Sequence, residues 1–435
     1  MAYLEQYQSK LGTLDDCLAQ IQSHDVIAFG GNSHGPQLLL RSLHTVAGRV
    51  EDVHGIKTQD GIYPFQQTAG LDGRINVDGN FFGAGHRQGY QNGNASFIPA
   101  DLCDYPKLLT ECRQFNVFAA AVAPMDEDGN FQVGGLCMLF EEELLEQVRS
   151  GPNKKIILEV NPRIPRVRGG INIHISEVTV LTEADYPLRE VVPTEPTPEE
   201  LIVAQNVRSL LRDGDCVQFG IGALPNAIAA QCMDLKDLGL HTEMITSSIG
   251  EMIRRGVING ARKNLNPGEH IFTFAGGDQA LYDTIGSDPA IRVVPARYGI
   301  SPAVIMQNDN MVSINTCIEM DLTGQTCSES LGPLQYSGSG GGFCYAYGAL
   351  HSRGGRGILA FASRTKKGKS KISTMLALGS NVSIPRNYVD YVVTEYGIAR
   401  LRGRTVRQRV EQLIAVAHPD VRDDLRRDAK KLLYI

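Results

Sequence analysis

The chain alternates short apolar segments with amphipathic segments along most of its length. Apolar, β-branched runs as long as a strand include residues 115–123, 154–160, 357–363 and 388–397. Stretches with helical periodicity lie between such runs, for example EEELLEQVRS at residues 141–150. This alternation predicts α/β domains with mainly parallel sheets, whose ligands bind at the carboxyl ends of the strands.

Two parts of the sequence share one plan. DVIAFGGNSHGP at 25–36 and DCVQFGIGALP at 215–225 each contain an aspartate, a short apolar strand ending in Phe-Gly, a glycine turn and a proline that opens a helix. A second pair, starting at Pro124 and Glu319, shares the pattern Met-Asp-x-x-Gly-[Asn/Gln] at a similar spacing. The chain is therefore interpreted as a diverged tandem repeat of two related α/β domains.

A proline-rich stretch separates the two halves. YPLREVVPTEPTPEEL contains Pro193, Pro196 and Pro198, and so many prolines disrupt a helix or a central strand. We place a linker at about residues 188–199. The expected domains are residues 1–190 and residues 199–435.

Composition and charge narrow the classes of partner. The 435 residues are 42% apolar and 21% charged, and no apolar run has the length of a membrane span or the flanks of a signal peptide. We therefore expect a cytoplasmic protein with no membrane partner. The net charge of −6 argues against nucleic acid as a partner. Nine cysteines without a CxxC pair, and the isolated His86, His174 and His241, argue against a metal site or a disulfide framework.

Glycine turns offer places for an anion. GIGALPNAI, from Gly220, points backbone N–H groups and a helix N-terminus at a phosphate or an oxyanion, unless it is only a tight turn. SGSGGG at 337–342 indicates close approach of a ligand to the backbone, with a flexible surface loop as the alternative. SRTKKGKSK at 363–371 is interpreted as either a solvated basic loop or a diphosphate contact.

One acidic residue stands out within an apolar run. Glu243 lies at the centre of GLHTEMI, residues 239–245, where a strand would carry valine or isoleucine. No P-loop occurs in the sequence. This leaves Glu243 as the candidate nucleophile against an electrophilic carbonyl.

Motifs along the whole chain resemble one family. They include PMDEDGNF, EVNPRIPR, DGDCVQFGIGALPNAI, LGLHTEM, NDNMVSINTCIEMDLTGQ, QYSGSGGG and VTEYGIARLRGRTVRQR. The sequence resembles the acetyl-CoA hydrolase/transferase family, and most closely its 4-hydroxybutyrate or butyrate CoA-transferase branch. The resemblance implies two tandem CoA-transferase-like domains, the second of which carries the nucleophilic glutamate.

The resemblance also implies roles for individual residues. The catalytic group is Glu243, Gly222, Ala223 and Glu395. The implied CoA-binding residues are Gly220, Gly222, Gly338, Gly340, Gly341, Gly342, Lys366 and Lys369.

The implied reaction is ping-pong transfer of CoA from an acyl-CoA to a small carboxylate, through a mixed anhydride and a glutamyl-CoA thioester on Glu243. CoA is then a substrate, with no metal required. A homodimer or a dimer of dimers is expected. Two alternatives stay open: acyl-CoA hydrolysis, in which water reaches the thioester, and a non-catalytic CoA-binding protein.

Several residues depart from those that the family usually shows near the acyl group. The resemblance places these replacements in the substrate pocket: Ile300, Cys344, Tyr345 and Tyr347. Arginines that suit a second carboxylate are Arg87, Arg163, Arg166 and Arg168, with ordinary surface charges as the alternative. We therefore expect a dicarboxylate acceptor such as itaconate or succinate, in preference to 4-hydroxybutyrate or butyrate.

Overall fold

The computed structural model describes residues 3–58, 61–71, 73–191 and 194–435. The chain divides into two compact units. The first contains Met1–Val191 and Phe272–Tyr298, and the second contains Val192–Ile271 and Gly299–Ile435. The domain boundaries expected from the sequence stay a prediction, and Pro193 of the expected linker lies outside the described residues.

The elements up to residue 191 are as follows. The strands are β1 Val26–Phe29, β2 Val53–Ile56, β3 Ile75–Asp78, β4 Val117–Val122, β5 Asn130–Val133, β6 Lys155–Val160, β7 Ile171–His174 and β8 Val180–Glu183. The α-helices are α1 Leu4–Lys10, α2 Leu14–Ala19, α3 Gln37–Ser42, α4 Pro64–Gln67, α5 Ala84–Gln91, α6 Tyr105–Cys112 and α7 Glu141–Ser150. Short 3₁₀ helices cover Asn32–His34, Leu43–Gly48 and Ile175–Glu177.

The elements after residue 194 continue the same numbering. The strands are β9 Cys216–Phe219, β10 Gly239–Ile245, β11 His270–Ala275, β12 Ile291–Val293, β13 Met311–Asn315, β14 Glu319–Asp321, β15 Thr326–Cys327, β16 Ser330–Leu331, β17 Leu334–Gln335, β18 Arg356–Ala360, β19 Ile372–Ser373, β20 Tyr391–Thr394 and β21 Gly397–Arg400. The α-helices are α8 Pro198–Arg208, α9 Ala223–Gln231, α10 Ser247–Arg254, α11 Gln279–Ser287, α12 Ala296–Gly299, α13 Pro302–Ile305, α14 Gly342–His351, α15 Val406–Val416 and α16 Pro419–Lys431, with a 3₁₀ turn at Arg386–Tyr388.

Each unit is built on a mainly parallel sheet. In the first unit the strand order is β3-β2-β1-β4-β6-β8, and every pair is parallel. In the second unit the strands follow the order β10-β9-β13-β18-β20-β21, where only the β20–β21 hairpin is antiparallel. Strands such as β4 are buried at every position, as expected for a sheet covered on both faces. The predicted fold class is confirmed.

The repeat detected in the sequence also appears in the strand pairing. The order β2-β1-β4-β6-β8 of the first unit matches β10-β9-β13-β18-β20 of the second. The glycine after β1, Gly30, donates its N–H to the carbonyl of Ala119 at 2.9 Å, and Gly220 after β9 donates to Ile314 at 2.8 Å. The two partner carbonyls lie on β4 and β13, which are the corresponding strands.

The second sequence echo is a repeated turn. Asp126 Oδ1 accepts hydrogen bonds from the backbone N–H groups two and four residues later, at 3.1 and 2.7 Å. Asp321 Oδ1 does the same at 2.8 and 2.9 Å. Glycine follows three residues after each aspartate with positive φ, at Gly129 and Gly324, where a side chain would be strained. The Met-Asp-x-x-Gly pattern therefore specifies one turn in both units.

The last residues of the expected linker form the start of helix α8. Pro198 is the first residue of α8, and Thr197 caps that helix in a capping box with Glu200. Proline is tolerated at this position because its missing N–H has no partner within the helix. Within the described ranges, every helix is too short or too polar to cross a bilayer.

An ion pair between the starts of two strands occurs at corresponding places in the two units. Asp25 pairs with Lys155 at 2.8 Å, and Asp215 pairs with Arg356, whose side chain is only 11% exposed.

Replacing Asp215 with alanine leaves a buried guanidinium unpaired, so we expect the free energy of unfolding to fall by about 3 kcal/mol in urea denaturation. Asp309→Ala is the control, because its partner Arg353 is 84% exposed and such pairs contribute about 0–1 kcal/mol. Equal losses in the two variants would contradict this account.

Candidate active site

Glu243 lies at the fifth position of β10, among buried neighbours, and is itself half-buried. Strand β10 pairs in parallel with β9, with Gly239 opposite Cys216 and Leu240 opposite Val217. Because the two strands are parallel, the carboxyl end of β10, where Glu243 lies, is at the same edge of the sheet as the glycine turn that follows β9. This is the edge at which an α/β sheet binds its ligands.

The second glycine motif touches this carboxylate directly. The backbone N–H of Gly341 donates to Glu243 Oε2 at 2.7 Å. Gly341 is the N-cap of α14, a ten-residue helix, so the contact places the carboxylate at the positive end of a helix. A Cβ added to Gly341 would lie 2.1 Å from Glu243 Oε2 and 2.9 Å from Ile300 Cγ2. Only glycine allows this approach.

The environment favours the neutral form of this carboxyl. Burial raises the pKa of Glu243 to about 7, and the Gly341 hydrogen bond lowers it only in part. Among the described residues, Oε1 of Glu243 has no hydrogen-bond partner. One carboxylate oxygen is thus held by the backbone and the other is left for chemistry. Carboxyl groups with this degree of perturbation are candidates for catalytic function.

A buried hydrogen-bond group supports the wall beside the carboxylate. Tyr345 donates its hydroxyl to the carbonyl of Gly299 at 2.7 Å, and His241 Nε2 lies 2.9 Å from the same oxygen. Since a carbonyl only accepts, both side chains act as donors. Burial lowers the pKa of His241 to about 3, so the ring is neutral. These bonds fix Gly299 and, next to it, the fully buried Ile300.

The other predicted pocket residues take different places. Cys344 is buried. Tyr347 is half-buried in an aromatic cluster, with ring centroids 6.0 Å from Phe343, 5.1 Å from Tyr388 and 4.2 Å from His351. Of the predicted acyl-side residues in the second unit, Ile300 lies against Gly341, 2.9 Å from the position that a Cβ there would take, and Tyr345 donates its backbone N–H to the Gly341 carbonyl at 2.9 Å.

The predicted arginines all belong to the first unit. Arg87 donates to the carbonyl of Phe82 at 2.9 Å, and Arg168 donates to Pro289 at 3.4 Å. Arg163 pairs with Asp185 at 2.6 Å, and Arg166 pairs with Asp126 at 3.2 Å. These partners fit the interpretation of the four arginines as structural or surface charges.

Two predicted CoA-binding residues, Gly222 and Lys366, line one groove of the second unit together with residues predicted as catalytic; the groove is a cavity of about 730 Å³. Gly222, Ala223, Lys366 and Glu395 all contribute to its walls. The turn at 220–222 follows β9 at the same edge of the sheet as Glu243, and its Gly222 lines the groove. Gly222 has φ of +120°, a conformation that side chains rarely adopt.

The groove combines a helix N-terminus with cations. Helix α9 begins at Ala223 without a side-chain cap, and its first three residues line the groove. Glu395 is held by Ser363, whose hydroxyl and N–H donate to its two oxygens at 2.5 and 2.8 Å. Lys369 is exposed and does not line the groove. Sequence reasoning missed the groove residues Arg364, Lys371 and His418, although the first two belong to the predicted basic segment.

The remaining glycines lie around the start of α14. Gly338 and Gly340 are buried, and Gly340 has φ of +58°. Gly342 is the first residue of the helix, and a Cβ there would meet no atom within 4 Å. Within the described ranges, no cluster of three or more metal-binding side chains is present.

The first unit holds a different carboxylate at the corresponding helix start. Helices α7 and α14 each precede the next parallel strand by the same interval, so Phe140 corresponds to Gly341. The N–H of Phe140 donates to Glu141 Oε2 at 3.0 Å, and the N–H of Gly31 donates to Oε1 at 2.8 Å. Glu141 is fully buried, and both of its oxygens are bound. The first unit therefore has a structural carboxylate where the second unit has an accessible one.

The chain is similar to known proteins over its whole length. Residues 1–193 match the acetyl-CoA hydrolase/transferase N-terminal domain, and residues 277–429 match the C-terminal domain. A succinyl-CoA:cyclohexane-1-carboxylate CoA transferase of Geobacter metallireducens is 37% identical, covering 99% of this chain and 97% of the relative. A 4-hydroxybutyrate coenzyme A transferase of Clostridium kluyveri is 36% identical, covering 99% and 100%.

Solved structures show the same similarity. RipA from Yersinia pestis superposes with a TM-score of 0.91 at 34% identity, over 100% of both chains. A 4-hydroxybutyrate CoA-transferase from Porphyromonas gingivalis superposes with a TM-score of 0.80 at 32% identity, over 99% of both chains.

The raised pKa of Glu243 predicts how stability depends on pH. Its pKa moves from an ordinary 4.5 to about 7 in the folded state, so the folded state binds more protons between these values. Stability is therefore lost as the pH rises from about 4.5 to about 7. Glu243→Gln removes this loss, so the melting temperature of the variant relative to wild type should be higher at pH 8 than at pH 5. Glu411→Gln, an exposed position, is the control. The same difference at both pH values would contradict the prediction.

Proposed function

Because the chain belongs to the acetyl-CoA hydrolase/transferase family and is a CoA-transferase acting between acyl-CoA and carboxylates, we propose that Glu243 carries CoA from the donor to the acceptor. The observation that carries this proposal is a half-buried glutamate with one oxygen on the Gly341 N–H and the other without a partner among the residues that the structure describes.

The reaction begins at the unpartnered oxygen. Oε1 of the ionised Glu243 attacks the carbonyl carbon of the acyl-CoA, the carbon–sulfur bond breaks, and CoA leaves as a thiolate. A mixed anhydride joins the acyl group to the glutamate. The thiolate then attacks the glutamyl carbonyl carbon, the anhydride bond breaks on the glutamyl side, and the acyl group leaves as a carboxylate. The enzyme now carries a glutamyl-CoA thioester, and an incoming carboxylate reverses both steps.

The hydrogen bond from Gly341 suits the charge that develops. During attack on the glutamyl carbonyl carbon, negative charge builds on the oxygen that stays bonded to that carbon. Oε2 already lies 2.7 Å from the Gly341 N–H, so the donor is in place without rearrangement. One such donor contributes about 3 kcal/mol to transition-state stabilisation in other enzymes.

The groove supports a place for the CoA portion. Lys366 and Arg364 line it together with the uncapped start of α9, and these groups suit phosphate oxygens. We propose that the diphosphate contacts this basic wall while the thioester end reaches the turn at 220–222. Lys369 is exposed and lies outside the groove lining, so we assign it no contact.

The acceptor acid is the finer part of the proposal. A relative named for propanoyl-CoA:succinate transfer supports a dicarboxylate such as succinate or itaconate, whereas relatives named for cyclohexane-1-carboxylate, 4-hydroxybutyrate and butyrate support monocarboxylates. The hydroxyl of Tyr345 is engaged by Gly299, so it is not the group that binds a distal carboxylate. Assembly as a homodimer or a dimer of dimers, and a cytoplasmic location, are likewise proposed.

Gly341→Ala tests the contact with Glu243. The new Cβ would lie 2.1 Å from Oε2, so the carboxylate must move and lose its donor. We expect kcat/KM for CoA transfer to fall by about 100-fold or more, the typical loss of one oxyanion donor. Gly48→Ala is the matched control, because a Cβ there meets no atom within 4 Å, and it should retain wild-type rates. Wild-type kinetics in Gly341→Ala would remove the contact from the mechanism.

An acceptor panel tests both the transfer and the acid. CoA release from acyl-CoA should depend on an added acid, and succinate or itaconate should exceed butyrate and 4-hydroxybutyrate by about tenfold in kcat/KM, which is about 1.4 kcal/mol. A preference of that size for the monocarboxylates would make the dicarboxylate proposal wrong. Equal release with and without any acid would indicate a hydrolase.

A further inference from the structure

Five exposed arginines form one surface of the second unit. Four of them belong to RLRGRTVRQR, the segment that joins the end of β21 to the start of α15, and the fifth lies in the 3₁₀ turn before β20. The proposed mechanism uses none of them. This set, which we call the arginine surface, is Arg386, Arg400, Arg402, Arg404 and Arg407.

A sixth arginine joins the segments that carry this surface. Arg409 is half-buried, and its guanidinium donates to the carbonyls of Arg386 at 2.7 Å and Arg404 at 3.4 Å. It also donates to the carbonyl of Thr323 at 3.2 Å, in the turn after β14. The backbone of the arginine surface is therefore fixed before a partner binds, which lowers the cost of ordering it on binding.

The charges of the arginine surface are not neutralised within the chain. Among the residues that the structure describes, no carboxylate lies within ion-pair distance of these five guanidinium groups. Other arginines of the same unit do pair with acids, as Arg208 pairs with Asp234 and Arg262 with Asp237, both at 2.8 Å. The arginine surface is thus a local positive region on a protein with a net charge of −6.

Two acids next to the arginine surface are buried or already paired. Glu411, one turn after Arg407 on α15, pairs with Arg426 at 3.8 Å. Asp390, whose carbonyl accepts from the Leu401 N–H at 2.7 Å, is only 2% exposed. The positive charge of the surface is therefore left for a partner from outside the chain.

Helix α15 adds to this positive charge. The arginine surface surrounds the N-terminus of the helix, whose first turn carries Arg407 and no acidic residue. The positive end of a helix dipole attracts anions and disfavours cations, so this arrangement is unfavourable until an anion binds. Thr405 already caps the helix, so the attraction is one of charge and not of free N–H groups.

The arginine surface lies away from the groove. Arg400 pairs with Tyr391 at the start of β20, whereas Glu395 and Tyr396, which follow the end of β20, line the groove. Strand β20 has four residues, so roughly 13 Å of strand separate the two edges. A partner bound at the arginine surface leaves the groove open.

The composition of the surface favours a protein over a nucleic acid. All its cations are arginine, which binds carboxylates in a bidentate manner and is enriched in protein interfaces, where lysine is depleted. Val406, between Arg404 and Arg407, adds an apolar side chain that is 37% exposed. A long nucleic acid would extend beyond the arginine surface onto a chain whose net charge is negative, which repels phosphates.

We propose that the arginine surface binds an acidic segment of a protein, whose carboxylates pair with Arg402, Arg404 and Arg407 at the start of α15. Binding here does not depend on the role proposed for Glu243 or on the place proposed for CoA.

Fluorescence anisotropy with the full chain and a labelled polyglutamate peptide tests this proposal. The wild type should bind the peptide, and added salt should weaken the binding. Arg404→Gln combined with Arg407→Gln should weaken it at least tenfold. Both side chains are exposed and lie away from the groove, so this double variant should keep the wild-type melting temperature and the wild-type rate of CoA transfer.

Arg254→Gln combined with Arg255→Gln is the matched control. These two exposed arginines of the same unit already pair with Glu251, so their loss should leave peptide binding unchanged. CoA at concentrations that saturate the groove should not displace the peptide. Self-association of the enzyme that is lost in the first double variant would identify the acidic segment as part of a second copy.

Four results would overturn the proposal. They are absence of peptide binding by the wild type, equal loss of binding in the two double variants, displacement of the peptide by CoA, and tighter binding of a labelled single-stranded RNA. The last result, if it also depended on Arg404 and Arg407, would make the partner a nucleic acid instead of a protein.

Discussion

The contact between the Gly341 N–H and the Glu243 carboxylate is the constraint on which the catalytic unit depends. A parallel strand buried at most positions places an ionisable group where burial disfavours its charge. The start of α14 offsets part of that cost with one backbone donor. The donor can come so close only because residue 341 has no side chain. Strand, glycine and helix start therefore define a single functional element.

Comparison of the two units explains how the same plan yields a reactive group in only one of them. In the first unit the corresponding helix start holds Glu141, whose two oxygens are both occupied by backbone donors. Burial raises the pKa of Glu141 to about 7, as for Glu243, so the pKa does not distinguish the two. The difference lies in the partners: Glu141 has a donor on each oxygen, whereas Glu243 has a donor on one. A carboxylate with an unbound oxygen can attack a carbonyl, and a fully bonded one stabilises the fold.

The sequence alone predicted much of this arrangement. Alternation of apolar runs predicted the parallel sheets. Of the two repeated motifs, the first corresponds to the matching hydrogen bonds of Gly30 and Gly220, and the second to the turns around Asp126 and Asp321. The acidic residue within the apolar segment GLHTEMI pointed to Glu243, because an acidic side chain rarely occupies a buried position of a strand. The sequence did not predict that helix α8 begins at Pro198, because proline disfavours a helix interior although it fits the first turn of a helix.

The features that the sequence did not predict depend on tertiary contacts. Periodicity does not reveal which glycine of SGSGGG reaches the carboxylate, because that depends on how α14 approaches β10. Nor does it show that Tyr345 donates to Gly299 or that Tyr347 packs among aromatic rings.

Covalent capture tests the central claim most directly. The enzyme is incubated with acyl-CoA, treated with borohydride to reduce a thioester, digested, and mapped by mass spectrometry. The account predicts that the glutamyl carboxyl of Glu243 is reduced to an alcohol, and that enzyme kept from acyl-CoA is unmodified. Capture on a peptide that lacks Glu243, or turnover without any captured glutamyl group, would contradict it.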